Sequence, residues 1–154
     1  MIKLQNVEKV YKSENGNVTA LNDINLEFES SGMVFVVGRS GSGKTTLLNI
    51  IGSLDHIDNG EVSVTFPNED EYNLSAASEK ELDEYRNLHV GFVFQEYNLL
   101  KDWSIRDNIL LPVRQQYTEG AEQEEEKILE QVLHETDLNI KPERKANELS
   151  GGQA

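Results

Sequence analysis

Residues Gly38-Arg39-Ser40-Gly41-Ser42-Gly43-Lys44-Thr45 stand between two apolar stretches of different kinds. Before them, Met33-Val34-Phe35-Val36-Val37 is continuously apolar, the pattern of a strand covered on both faces. After them, Leu47-Leu48-Asn49-Ile50-Ile51, with Leu54 beyond, has helical spacing. A buried strand, a glycine loop and a helix in that order predict an α/β chain. The loop itself matches G-x-x-x-x-G-K-[ST], the phosphate-binding P-loop.

The residue types follow from that chemistry. Glycines let the backbone curl until successive N–H groups converge on an anion. The helix that follows points its positive N-terminal end at the same place. Lys44 is expected to reach the β- and γ-phosphates of a nucleotide, and the Thr45 hydroxyl to ligate Mg²⁺. An ordinary glycine-rich turn is the blander reading, but it leaves Lys44-Thr45 to coincidence.

Composition narrows the class. The 154 residues suit one domain, or a core with a small subdomain. With 37% hydrophobic and 27% charged residues the chain reads as globular. It has no apolar run near the roughly 20 residues of a membrane span, and Met1 to Gln5 lack the long apolar stretch expected of a secretory leader. Having no cysteine, it uses neither disulfides nor thiolates, and it reads as cytoplasmic. The net charge of −14 argues against nucleic acid as a partner. Two stretches, 67–84 and 119–135, supply −12 of it, so the remainder is close to neutral and open to an anionic ligand. Both acidic stretches are read as solvated faces.

Elsewhere the chain alternates. Ile2 with Leu4, Ile24-Asn25-Leu26-Glu27-Phe28, and Val62-Ser63-Val64-Thr65-Phe66 predict half-buried strands of a small antiparallel sheet. Ser13-Glu14-Asn15-Gly16-Asn17 and Asp58-Asn59-Gly60 carry turn chemistry. Val90-Gly91-Phe92-Val93-Phe94 is a second continuously apolar run, expected to be a second buried strand. Helices are predicted over 78–88 and 121–135, the latter with a stripe of Ile128, Leu129, Val132 and Leu133.

A second motif stands at the end of the chain. Leu149-Ser150-Gly151-Gly152-Gln153 resembles the signature of ABC-type ATPases. Tyr85 to Gln95 followed by Asn98-Leu99-Leu100, with Leu54-Asp55 and Leu111-Pro112, is most similar to one branch of them. That branch serves lipoprotein release, macrolide export, antimicrobial-peptide resistance and cell division. The resemblance implies a P-loop NTPase core with a parallel sheet, incomplete here, an antiparallel β subdomain and a helical subdomain. Residues 1–95 would hold the β subdomain interleaved with the core, 96–148 the helical subdomain, and 149–154 the signature.

The resemblance also implies roles. Tyr11 would stack on adenine, Gly38 to Thr46 would bind the phosphates of ATP, and Ser150, Gly151, Gly152 and Gln153 would complete the site of a second copy. Gln95 would contact Mg²⁺ and the attacking water, making Lys44 and Gln95 the catalytic residues and Thr45 and Gln95 the metal contacts. The implied partners are a transmembrane permease subunit or domain and a head-to-tail homodimer, with the chain peripheral on the inner face of the cell membrane.

Other family motifs are expected after the signature: a Walker B aspartate, a catalytic glutamate and a switch histidine. They do not occur in this sequence, and His56, His89 and His134 all precede the signature and read as surface or edge residues. The expectation is therefore a chain truncated after the signature, with Val34 to Val37 lacking neighbouring strands. Two functions are weighed: an ATP-binding subunit of an ABC transport system, and a nucleotide-binding or interaction module without turnover. A third, an ATPase of repair or translation, fits less well, because tandem domains or large insertions are absent.

Overall fold

The computed structural model describes residues 1–14, 16–67, 71–116 and 122–152. The chain divides into two compact units, Met1–Phe92 and Val93–Ala154.

In the first unit, β1 (Ile2–Ser13) and β2 (Gly16–Phe28) form a long hairpin, joined by β3 (Asn59–Thr65) and β4 (Glu71–Asn73) in the order β2-β1-β3-β4. Every pairing is antiparallel, as the alternating stretches predict. Leu4 sits opposite Leu26 on one side and Val62 on the other. Leu4 and Val7 are both buried although three residues apart, which strict alternation forbids. The register shifts between them, with Asn6 at φ +47° and Asp23 across the hairpin at φ +50°. The Asn6 amide donates to Asp23 Oδ1 at 2.9 Å, and its N–H donates to Asn25 Oδ1 at 2.9 Å. Such short polar side chains tolerate the left-handed region and let a bulge return the next apolar residue to the core. Asn59, expected in a turn, already pairs with Glu8 in β3. The hairpin turn holds Asn15, which lies outside the described residues.

Two helices pack on this sheet, α1 (Lys44–Ile51) and α2 (Glu79–His89). Leu47 and Ile50 from α1 and Leu82 and Tyr85 from α2 share one core with Leu4, Val7, Leu21, Val62 and Val64. Ser78 and Glu81 form a reciprocal capping box that starts α2. The Tyr85 hydroxyl donates to Ile51 O at 2.9 Å, tying α2 to the end of α1. His89, the last residue of α2, is half-buried: its ring stacks on Phe66 with centroids 4.0 Å apart, beside Tyr72 and Tyr85.

The two continuously apolar runs depart from expectation. Neither 33–37 nor 90–94 is a strand, and Met33 is 79%, Phe35 78% and Val93 99% exposed. A buried strand needs hydrogen-bonding neighbours along both edges. Among the described residues the only sheet is the four-stranded antiparallel one, and neither of its edge strands, β2 or β4, pairs with these segments. Contact with the core is limited to a few side chains, Val36 and Val90 being partly buried against it. The fold class is α/β, with the antiparallel sheet carrying the helices of this unit.

The second unit is helical. It contains α3 (Ile105–Gln116), α4 (Glu122–Glu135) and a single 3₁₀ turn at Ala146–Glu148. Among its described residues Ile105, Leu110, Leu129 and Ala146 are buried, and the predicted stripe of α4 faces inward with Leu129 fully buried. The acidic stretch on α4 is not simply solvated. Arg114 of α3 forks onto Glu125 and also reaches Asp107, while Arg106 pairs with Glu126 at 2.5 Å. No helix among the described residues is long and apolar enough to cross a membrane.

Candidate functional site

The glycine loop ends in Gly43, the N-cap of α1, at φ +86°. A Cβ there would approach the Ala20 carbonyl oxygen to 2.4 Å, so both the conformation and the space demand glycine. This close approach lays the loop against β2. The Ser42 N–H donates to Arg39 O at 3.2 Å, which closes the turn. Gly43 offers no side-chain cap and the first turn of α1 carries no acid. The leading N–H groups of a helix have no partner within it. Here they form a cradle of positive potential for an anion.

Lys44 completes the cradle. Its ammonium donates to Gly38 O at 3.0 Å and Arg39 O at 2.8 Å, so it lies across the loop. Arg39, Ser40, Gly41, Ser42 and Thr45 are exposed along the rim. Thr46 points elsewhere: it is buried, and its hydroxyl lies 3.5 Å from the Tyr11 hydroxyl.

Tyr11 stands beside α1 near the end of β1, 40% exposed. Its hydroxyl donates to Asp55 Oδ2 at 2.7 Å. Lys9, two residues earlier and so on the same face of the strand, places its ammonium 5.2 Å from the Tyr11 ring centroid. That ammonium donates to Asp55 Oδ1 and to His56 O, both at 2.6 Å. Partial burial pushes the Asp55 carboxyl upward most strongly. Hydrogen bonds from Lys9, Tyr11 and the His56 N–H, with the Lys9 charge, together hold it below the usual carboxylate value. Sequence reasoning had not connected Lys9 and Asp55 with Tyr11, although the Lys9–Tyr11 spacing on one strand is the signal that joins them.

The remaining predicted residues belong to the second unit. Gln95 is exposed and opens a turn in which the Tyr97 N–H donates to Phe94 O at 3.3 Å. Tyr97 and Asn98 both have positive φ, at +57° and +51°. The segment before the signature is pinned to the start of α3. Ile105 N–H donates to Arg144 O at 2.8 Å, and Ala146 N–H to Trp103 O at 3.0 Å. Ser150, Gly151 and Gly152 follow that fixed point, and a Cβ on Gly151 would sit 3.9 Å from the Tyr97 hydroxyl. The turn after Gln95 and the signature loop are thus neighbours within this unit. Gln153 lies outside the described residues. Among the described residues no group of three or more His, Asp or Glu side chains could hold a metal ion.

Comparison with known proteins gives consistent likenesses. The ABC transporter family profile matches residues 21–154. The bacitracin export ATP-binding protein BceA of Halalkalibacterium halodurans is 34% identical over 153 residues, 99% of this chain and 58% of that protein. The lipoprotein-releasing system ATP-binding protein LolD of Bacteroides fragilis is 36% identical over 154 residues, 99% of this chain and 66% of that protein. The chain therefore spans about 58–66% of the length of these relatives. Among solved structures, the dimeric post-hydrolysis state of the ATP-binding cassette MJ0796 bound to ADP and Pi superposes with a TM-score of 0.85 at 36% identity. That match covers 99% of this chain and 65% of the cassette.

Proposed function

The chain belongs to the ABC transporter family, and from that membership we propose that it is the ATP-binding subunit of a transport system, coupling nucleotide binding and hydrolysis to a membrane partner. The observation that carries the reading is the cradle: a glycine cap without side chain or neighbouring acid, spanned by the Lys44 ammonium. It fits a polyphosphate. Gly38 to Thr45 bind the phosphates, with Thr46 offering only its backbone N–H, Tyr11 supports the base, and Lys44 neutralises charge that develops on the transferred group.

The residues also fit Mg²⁺ of a particular kind. Among the described residues no acidic cluster is placed to hold a resident ion, so Thr45, with its exposed hydroxyl, would hold an ion brought in by the nucleotide. Bound there, the ion would screen phosphate charge. Gln95 is assigned to the metal and the attacking water, and through them to the membrane partner. Ser150, Gly151, Gly152 and Gln153 are assigned to the ATP held by a second copy.

A head-to-tail dimer is supported by the dimeric MJ0796 cassettes. A transmembrane permease is supported by relatives named for bacitracin export and lipoprotein release. The protein would then lie on the cytoplasmic face of the cell membrane. Nucleic acid is not among its proposed partners.

One observation favours a second reading, nucleotide binding without turnover. Asp55, the carboxylate bonded to this site, is engaged by Lys9 and Tyr11 and is not placed as a base. Steady-state phosphate release separates the two. The transport reading expects ATP turnover, removed by Lys44→Ala, from a protein that also carries the acids expected after the signature; binding without release even with those acids present favours the second.

A further inference from the structure

We propose that Asp55 is a positioning residue for nucleotide recognition, holding the Tyr11 ring where a base stacks. The proposal rests on the reading of Tyr11 as the base platform and adds what fixes that platform. Tyr11 sits near the hairpin end of β1, paired with Val18, which is itself exposed. A ring in such a place has several rotamers open to it, and a ligand that needs one of them must supply the ordering cost. Here that cost is met before the ligand arrives.

Two contacts hold the ring and a third holds the carboxylate behind it. The hydroxyl donates to Asp55 Oδ2 at 2.7 Å, a bond to an ionised acceptor and so among the stronger kinds. Lys9 holds the other carboxylate oxygen at 2.6 Å while facing the ring. Asp55 receives the His56 N–H at 2.7 Å, which sets the carboxylate against its own backbone. The strand and the segment after α1 are also joined directly. Asp58 N–H donates to Glu8 O at 2.9 Å, and Val10 N–H donates to Asp58 Oδ2 at 2.6 Å. The carboxylate therefore stands on a backbone clamped to the strand that carries Tyr11. Lys9 also balances its charge, so that an anionic ligand nearby meets a neutral pair.

The role predicts a split between two ligands. ATP uses both the cradle and the ring; inorganic tripolyphosphate uses only the cradle. Binding of each, with Mg²⁺, is measured on the full chain and on Asp55→Ala, Asp55→Asn, Tyr11→Phe and Tyr11→Ala. Asp55→Ala should weaken ATP about fivefold to tenfold and leave tripolyphosphate within about twofold of the parent. Tyr11→Phe keeps the ring but not the hydroxyl, so it should match Asp55→Ala, and the double variant should lose no more than either. Asp55→Asn keeps an acceptor and should recover part of the loss. Equal weakening of both ligands, or losses that multiply in the double variant, would overturn the proposal. The underlying reading fails separately: Tyr11→Ala would then leave the ratio of ATP to tripolyphosphate affinity unchanged. If Tyr11→Ala lowers that ratio and Asp55→Ala does not, the platform stands and the positioning role falls.

Discussion

Arg114 and Glu125 face each other across α3 and α4 as a two-toothed pair, Nε to Oε1 and Nη2 to Oε2 both at 3.0 Å. The same guanidinium reaches Asp107 Oδ1 at 2.9 Å. A planar fork of this kind matches a carboxylate in a way an ammonium cannot. It gives an acidic helix a structural partner in place of solvent alone.

The pair predicts acid sensitivity of the helical unit. The hydrogen bond from Arg114 holds Glu125 below its ordinary value of 4.5, so its folded carboxyl titrates lower than its unfolded one. A depressed acid contributes stability above the unfolded value and loses it as pH falls through the folded one. Denaturation midpoints should therefore drop as pH falls through and below that ordinary value, and Glu125→Gln should flatten part of that slope. A slope unchanged in Glu125→Gln would mean the pair contributes nothing, the common fate of exposed ion pairs.

Gly43 is the second point of test. With φ at +86° and a would-be Cβ 2.4 Å from the Ala20 oxygen, Gly43→Ala meets both strain and collision. The expected loss is about 1–3 kcal/mol, read in chemical denaturation, together with weaker phosphate binding. Gly41→Ala is the contrast. It shares the positive φ of +77° but has open space around it, so it should cost less.

Gly52 and Phe92 test the placement of the second apolar run. A Cβ on Gly52 would lie 2.0 Å from Phe92 Cζ. Gly52→Ala should destabilise by about 1–3 kcal/mol through overpacking, and Phe92→Leu in the same chain should recover part of it. A recovery of nothing would show that the ring does not pack there.

The parts legible in sequence were those decided locally. Alternation in Ile24 to Phe28 and Val62 to Phe66 marks strands because one face of each meets the core. The motif around Lys44 is equally local, since each residue type answers to a backbone need. Three features escaped. The burial of Met33 to Val37 depends on neighbours, and an apolar run carries no information about whether neighbours are present. The bounds of α3 are not marked within 96–148, expected to be helical from the resemblance alone, and Pro112 in its interior is a residue that ordinarily argues against helix. Asp55 lies far from Tyr11 in sequence, and only the bulged path of β1 together with the turn after α1 brings them within 2.7 Å.

The central claim is that Gly38 to Thr45, with Lys44 across them, bind a nucleoside triphosphate, and calorimetric titration of the full chain with Mg²⁺ and ATP tests it most directly. Saturable binding that Lys44→Ala weakens at least tenfold, roughly 1.4 kcal/mol, is the result expected. Binding that Lys44→Ala leaves unchanged, or no binding by the parent chain, would contradict it.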